Sequence, residues 1–430
     1  MTSPSPFRLG IAGLGTVGVG VVKILAAHGA VLSEKAGRPV VVTAVSARNR
    51  GRDRGIELSG AAWEDDATAL AERDDVDCVV EVIGGSDGPA KALVERAIAN
   101  GKHVVTANKA LIAHHGQVLA MMAEDQGVTL RAEAGVAGGI PILKTLSEGL
   151  ASNAISRVFG VLNGTCNYIL TEMAETKAVY EDVLADAQRL GYAEADPTFD
   201  VEGIDAAHKL AILAAMAFGT EVDFEGVVTE GIGQITLTDI EMARDMGFAI
   251  KHLGLARMHE EGLEQRVRPC MVRADTAIGA LPGVTNTVIV EGDFIGQTAH
   301  FGPGAGEGPT ASAIIADVLD AARGVVHPLF GRPAKGLAKA PRLSHGEEHS
   351  PYYLRFTLED QPGALASLAT ALGNEGISIH RMRQYGMGDP VPVVIVSHDA
   401  QRSAIDAALD RIASLDVSKA PPVAIRIETV

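Results

Sequence analysis

The sequence predicts an α/β protein in three parts: a doubly wound parallel sheet at the N-terminus, an α+β domain after it, and a βαββαβ unit at the C-terminus. Three observations carry this. Short apolar runs alternate with amphipathic stretches through the first third of the chain. A glycine-rich hexapeptide, Gly13-Leu14-Gly15-Thr16-Val17-Gly18, joins the first run to the first helical stretch. Periodicity breaks off at 331–350 and resumes beyond it as six alternating elements.

In chain order, 8–13, 40–46, 78–83, 103–106 and 128–133 read as strands, with helical patterns such as 17–27 and 89–100 between them. This first domain spans 1–138 and is completed by a returning segment at about 304–325. Residues 139–303 mix helices such as 203–218 with strands such as 157–162 and 287–291, the pattern of a separate α+β domain. From 331 to 350 Gly, Pro and basic residues collect without period, which reads as a flexible linker. The last domain, 351–430, offers 352–358, 364–375, 377–383, 391–398, 401–415 and 423–429 in βαββαβ order.

Composition narrows the function. A net charge of −17 does not supply the basic surface that nucleic acid requires. No uncharged apolar run is long enough to span a bilayer, and MTSPSPFRLG lacks the pattern of a signal peptide. Three widely spaced cysteines, Cys78, Cys166 and Cys270, form neither a zinc nor a redox pattern. A soluble cytoplasmic protein with free thiols is therefore expected.

The glycine hexapeptide has the context of a dinucleotide site. Gly13 permits a tight turn, Gly15 lets the backbone approach a pyrophosphate, and Gly18 lets helix and strand pack closely. Leu14, Thr16 and Val17 complete the turn, and the helix N-terminus faces the phosphates. An NAD-selective site places a carboxylate at the tip of the second strand. Here the tip reads Val45-Ser46-Ala47-Arg48-Asn49-Arg50, so Arg48 is placed to pair with a 2′-phosphate, with Arg50 as the alternative register. NADP(H) is expected in preference to NAD(H).

The most informative stretch runs from Ala187 to Lys209. Asp205 and Lys209 are four residues apart and share one helical face, a spacing that also suits an ordinary surface ion pair. The helix continues Leu210-Ala-Ile-Leu-Ala-Ala-Met-Ala-Phe218, apolar on nearly every side, so the pair lies at the edge of a buried helix. A charged pair there costs desolvation unless it is used.

This stretch resembles the signature of homoserine dehydrogenases, and the resemblance extends over the whole chain. It includes the glycine hexapeptide, Thr106-Ala-Asn-Lys109, Asn163-Gly-Thr-Cys-Asn167, Gly302-Pro-Gly-Ala-Gly306 and the C-terminal domain. It implies a Rossmann-type first domain, an α+β catalytic and dimerisation domain, and interconversion of L-aspartate 4-semialdehyde and L-homoserine in threonine, methionine and isoleucine biosynthesis. It also implies a homodimer or homotetramer. Lys209 matches the catalytic lysine, and Asp205 the carboxylate that holds that lysine and one end of the substrate. Glu194 matches the ammonium ligand with Asp200 beside it, while Thr165 and Tyr192 line the pocket. Lys109 corresponds to a second lysine between nicotinamide and substrate, and Gly306 to a late cofactor contact. Glu133 with the carbonyls of Val136, Gly138 and Ile140 resembles a site for sodium or a similar monovalent cation. Asp360-Gln-Pro-Gly363-Ala-Leu365 with Gly376-Ile-Ser-Ile379 is similar to the ACT pattern, a ferredoxin-like domain that binds amino acids, which makes L-threonine a candidate effector. Two positions depart from other family members: Cys166 stands where a Thr is frequent, and Phe199 where some have Asp.

Two rival readings lead to different expectations. A semialdehyde dehydrogenase forming an acyl phosphate needs a nucleophilic Cys with a His partner, and none of the three cysteines has that context. A nucleotide-binding regulatory protein without catalysis has no need of Lys109, Asp205 and Lys209 together.

Overall fold

The computed structural model describes residues 4–344, 346–385, 388 and 390–430. The first part runs β1 (Phe7–Ala12), α1 (Thr16–Ala36), β2 (Val40–Ser46), β3 (Ala62–Glu64), β4 (Cys78–Glu81), α2 (Pro89–Ala99), β5 (His103–Thr106), α3 (Lys109–Gln126) and β6 (Leu130–Arg131). Its six strands form one parallel sheet in the order β3-β2-β1-β4-β5-β6. The order reverses between β1 and β4, which opens a crevice at the carboxyl ends of those strands.

Helix α1 outruns its expected end, because Gly29 is tolerated inside it and the stop is Gly37, left-handed at φ 74° just before Pro39. Among the described residues it is the one helix long and apolar enough to cross a membrane. Its apolar face is accounted for otherwise: Val21, Val22 and Leu32 pack with Ile11, Val45 and Val80 of the sheet. The short strand β6 is likewise narrower than its apolar run, since Glu133 already begins a 3-10 turn.

The middle part contains α4 (Ile142–Lys144), β7 (Ile155–Val161), α5 (Gly164–Thr176), α6 (Tyr180–Arg189), α7 (Thr198–Val201), α8 (Ile204–Phe218), β8 (Val228–Thr229), α9 (Leu237–Asp245), β9 (Phe248–Met258), β10 (Leu263–Arg273), β11 (Thr285–Gly292) and β12 (Gly296–Pro303). The next helix, α10 (Glu307–Ala322), returns to the first sheet, where Ala311, Ile314 and Val318 pack on the face that α1 covers. The chain then adds β13 (His349–Ser350), β14 (Tyr352–Leu358), α11 (Ala364–Asn374), β15 (Ile379–Gln384), β16 (Val391–Ser397), β17 (Ala400–Gln401), α12 (Arg402–Ala413) and β18 (Ser418–Ile427).

The second sheet is continuous from the middle part into the C-terminal unit, in the order β12-β11-β7-β9-β10-β18-β14-β16-β15. The join is a short parallel pairing of Cys270 with Arg426 and Met271 with Ile427. Strand β18 starts earlier than its periodicity predicts and carries Pro421 and Pro422. The β14–β18 register slips between Arg355 and Thr357, opposite these donorless residues.

Residues 331–350 are not a free tether, although nothing in their pattern suggests partners. The Ala334 amide donates to Glu124, the Leu263 amide donates to the Pro341 carbonyl, and the Leu343 amide donates to the Leu263 carbonyl. Arg342 pairs with Asp223 at 2.6 Å. Glu348, 3% exposed, lies 2.6 Å from Arg266 and 3.2 Å from Arg268. Glu264 joins the same buried network through Arg266 and Arg426. A strap fixed by single anchors has no period to read, and its buried charges are costly to separate.

Candidate active site

The glycine turn shows why each glycine is there. Gly13 has φ 104°, and a Cβ on it would lie 2.6 Å from the Val82 carbonyl oxygen. A Cβ on Gly18 would lie 2.0 Å from the Gly13 oxygen. Gly15 meets nothing within 4 Å and faces open space. It is also the N-cap of α1, whose first turn has no acidic residue and no side-chain cap, so its amides and dipole are left for an anion. The residues fit a dinucleotide pyrophosphate.

Beyond β2, Arg48 is exposed and makes no hydrogen bond or ion pair among the described residues. Arg50 and Arg54 instead lie over the Trp63 ring, at 5.9 and 5.5 Å. Arg54 donates to the Leu14 and Asn49 carbonyls at 3.1 and 2.6 Å, tying the arginine-rich loop to the glycine turn. Sequence reading gave Arg54 no part in this; its only signal was membership of an arginine-rich run.

The switch-point wall is built by buried polar side chains. Glu81, fully buried, accepts from the Ile83 amide at 2.7 Å and the Thr106 hydroxyl at 2.6 Å. Asn108 caps α3 by accepting from the Leu111 amide, and its amide nitrogen donates to Gly85. Lys109 is thereby set as the first residue of α3, on the cleft between the two sheets.

From the other side of the cleft, α8 brings Asp205 and Lys209, both at least nine-tenths buried. Lys209 Nζ donates to Asp205 Oδ2 and to the Leu162 carbonyl, each at 2.7 Å. Lys109 Nζ lies 3.1 Å from Asp205 Oδ1. One carboxylate thus holds two lysines from two domains. Burial works against its ionisation, but Lys209 and Lys109 together hold Asp205 well below the ordinary carboxylate range.

Asn163 organises this group. Its Oδ1 caps α5 at the Cys166 amide, while its Nδ2 donates to Asp205 Oδ2 at 2.9 Å and Asp200 Oδ1 at 2.8 Å. Burial, and then the nearby Asp205, raise Asp200 despite that bond. The Thr165 hydroxyl donates to the Tyr192 carbonyl at 2.7 Å. Glu194 is exposed at the mouth. A single cavity of about 590 Å³ is lined by Lys109, Thr165, Tyr192, Glu194, Asp200, Asp205, Lys209 and Gly306, with Val17 of the glycine turn at its edge. Sequence reading missed Asn163 as a bridging group and Asn286 in the wall; an Asn before a helix signals a cap, and its second role is invisible without the partner strand.

Cys166 is buried with its thiol 3.2 Å from the Asp200 carbonyl oxygen, and burial raises its pKa well above the ordinary thiol value. Burial does the same to Cys78 and Cys270. None is a nucleophile.

Glu133, Val136, Gly138 and Ile140 lie together beside the cleft, all buried. Glu133 accepts from the Leu143 and Lys144 amides at 2.9 and 2.8 Å, and burial, with Asp317 adding to it, pushes it up to about 7. Ala137 and Gly138 are consecutive left-handed residues, at φ 56° and 55°. Among the described residues no hydrogen bond reaches the Val136 or Gly138 carbonyl, while the Ile140 carbonyl accepts from Ile142. Buried carbonyls without donors fit a hard cation.

A parallel sheet with a pyrophosphate turn at its switch point, facing a lysine–aspartate–lysine group, defines a nicotinamide-nucleotide oxidoreductase. Family models agree: residues 13–133 match the homoserine dehydrogenase NAD-binding domain, 141–319 match homoserine dehydrogenase, and 352–417 match the ACT domain. A homoserine dehydrogenase from Pseudomonas aeruginosa is 44% identical, covering 98% of this chain and 99% of its own. The crystal structure of a homoserine dehydrogenase from Thiobacillus denitrificans superposes with TM-score 0.94 at 42% identity, over 100% of this chain and 99% of that one. A hyperthermophilic archaeal homoserine dehydrogenase in complex with NADPH matches with TM-score 0.64 at 25% identity, over 74% of this chain and 98% of that one. The chain belongs to the homoserine dehydrogenase family, NAD(P)-dependent oxidoreductases acting on a CH–OH group.

Proposed function

We propose that the chain interconverts L-aspartate 4-semialdehyde and L-homoserine with NADP(H) preferred, Lys209 moving the proton and Lys109 stabilising charge. The observation that carries this is Asp205 shared between Lys209 and Lys109 at the floor of the cavity. Two ammonium groups on one carboxylate leave a net positive charge where an aldehyde oxygen becomes an alkoxide. Lys209 spends two of its three N–H donors on Asp205 and Leu162, which leaves one for the substrate oxygen. When bound, the nicotinamide supplies or accepts the hydride. Glu194 and Asp200 receive the ammonium of the amino acid, while Thr165 and Tyr192 shape the pocket around its chain. The direct test is NADP-dependent oxidation of L-homoserine by the purified chain; absence of turnover with either cofactor overturns the reading.

The preference for NADP(H) rests on Arg48, exposed and without a partner among the described residues, at a strand tip that lacks a carboxylate. A homologue that binds NADPH supports the same choice. Arg48→Asp is expected to move the ratio of kcat/KM toward NAD(H) by about tenfold or more, the worth of a charge-assisted phosphate contact. An unchanged ratio moves the 2′-phosphate contact to Arg50.

A monovalent cation such as sodium is proposed at Glu133 and the Val136, Gly138 and Ile140 carbonyls. A bound cation favours ionised Glu133, against the burial and the Asp317 charge that push its pKa up to about 7. Cation affinity therefore falls as pH drops through that value. Sodium is expected to raise Tm more at about pH 8 than at about pH 6, and Glu133→Gln to erase the difference. An equal sodium effect in Glu133→Gln removes the site.

The ACT domain is read as a receptor for an amino-acid effector, L-threonine being the candidate. Its sheet and buried ion pairs are continuous with the catalytic part, so effector binding has a rigid route to the cleft. Threonine that inhibits by competing with homoserine would instead occupy the substrate cavity.

A further inference from the structure

A second cavity, of about 290 Å³, lies away from the cleft between α5, α9, the start of β9 and the 274–282 loop. Its walls are mostly apolar, formed by Leu170, Ile240, Phe248 and Leu281 among others. The exposed Glu175 and Arg244 also line it, and two buried polar groups interrupt the apolar walls. Lys251 is 4% exposed, and its ammonium donates to Asn167 Oδ1 at 3.0 Å and the Leu281 carbonyl at 2.6 Å. No carboxylate oxygen lies within 4 Å of it among the described residues, so at hydrogen-bond distance the buried positive charge meets only neutral oxygens, with Glu175 acting on it from farther away. The Thr171 hydroxyl is also buried and has no hydrogen-bond partner among the described residues.

Both features are costly if nothing else binds there. A buried ammonium with no anion in contact loses hydration that two carbonyl-type oxygens replace only in part, and burial pushes Lys251 down to about 8 against the attraction of Glu175. A hydroxyl of a helical Thr ordinarily bonds back to the preceding turn. Thr171 makes no such bond and stands on the wall that Lys251 shares.

We propose that this cavity is a binding site for a small monocarboxylate with a short apolar chain, its carboxylate held by Lys251 and Thr171. The third N–H of Lys251 and the Thr171 hydroxyl suit the two carboxylate oxygens, and the apolar walls suit the chain. A phosphate ester fits less well, because Lys251, Arg244 and Glu175 together carry one net positive charge and balance only one negative charge. The site is separate from the substrate cavity, but Asn167 connects them: its side-chain nitrogen donates to Gly283 at 2.6 Å, next to Val284 in the substrate cavity wall.

The test is calorimetric titration of the full chain with 3-methylbutanoate, in the presence of saturating L-homoserine and NADPH, a pair that does not turn over. Saturable one-site binding is expected. Lys251→Met should weaken it by about 10- to 100-fold, the loss of a hydrogen bond to a charged group. Ala174→Leu, which fills the cavity from α5 and leaves Lys251 in place, should abolish binding even if Lys251→Met fails to fold. The neutral isostere 3-methylbutan-1-ol should bind at least tenfold more weakly than the acid, by the same charge-assisted contact. The proposal is overturned by absence of binding to the wild-type chain, by unchanged affinity in Ala174→Leu, or by equal affinity for acid and alcohol.

Discussion

Lys209→Ala is expected to lower kcat for homoserine oxidation by about 10²- to 10⁴-fold, the range for loss of a positioned acid–base group. The fold should tolerate the change. Asp205 keeps Lys109 at 3.1 Å and Asn163 at 2.9 Å, so no buried carboxylate is orphaned, and Ala is a strong helix former inside α8. NADP(H) binding should be nearly unchanged, because the glycine turn and Arg48 lie on the other domain. Steady-state kinetics and a fluorescence titration of NADPH read the two effects separately. A fall of less than tenfold assigns the proton transfer elsewhere, and a larger fall in Lys109→Ala than in Lys209→Ala exchanges the roles of the two lysines.

The pairing behind that expectation was half legible in the sequence. Asp205 and Lys209 share a helical face by spacing alone, and the apolar run after them announces burial, so their contact follows from period 3.6. Lys109 is different. It joins Asp205 only because α3 and α8 meet across the cleft between two sheets, a relation no local pattern encodes. The same holds for Asn163, whose cap role is local and whose bridge to Asp200 and Asp205 depends on how α5 sits against α8. The glycine turn was readable because its spacing belongs to the junction of β1 and α1, where Gly18 must clear the Gly13 oxygen and Gly15 leaves the helix N-terminus open. The strap at 331–350 was not, because its anchors, Ala334, Arg342 and Glu348, are isolated residues whose partners lie in distant elements.

Asp205→Asn offers the sharper dissection. Asp205 accepts three donors: Lys209 and Asn163 at Oδ2, Lys109 at Oδ1. An Asn side chain keeps one carbonyl oxygen and turns an NH₂ group toward the other set of donors. Facing its oxygen to Lys209 and Asn163 preserves two bonds and presents Lys109 with a donor, so Lys109 is the partner released. With the anion shared by both lysines gone, the site also carries buried positive charge that Asp200 offsets only from a distance. The expected result is a loss of about 10²- to 10³-fold in kcat, the size seen when one preorganised electrostatic contact is removed. A lower Tm should accompany it. If Asp205 acts through Lys109, the double variant with Lys109→Met should be no slower than Lys109→Met alone, whereas independent roles would make the losses add in free energy. Retention of more than about a tenth of wild-type kcat in Asp205→Asn would show that the carboxylate's charge is dispensable, and with it the electrostatic role given to the shared pair.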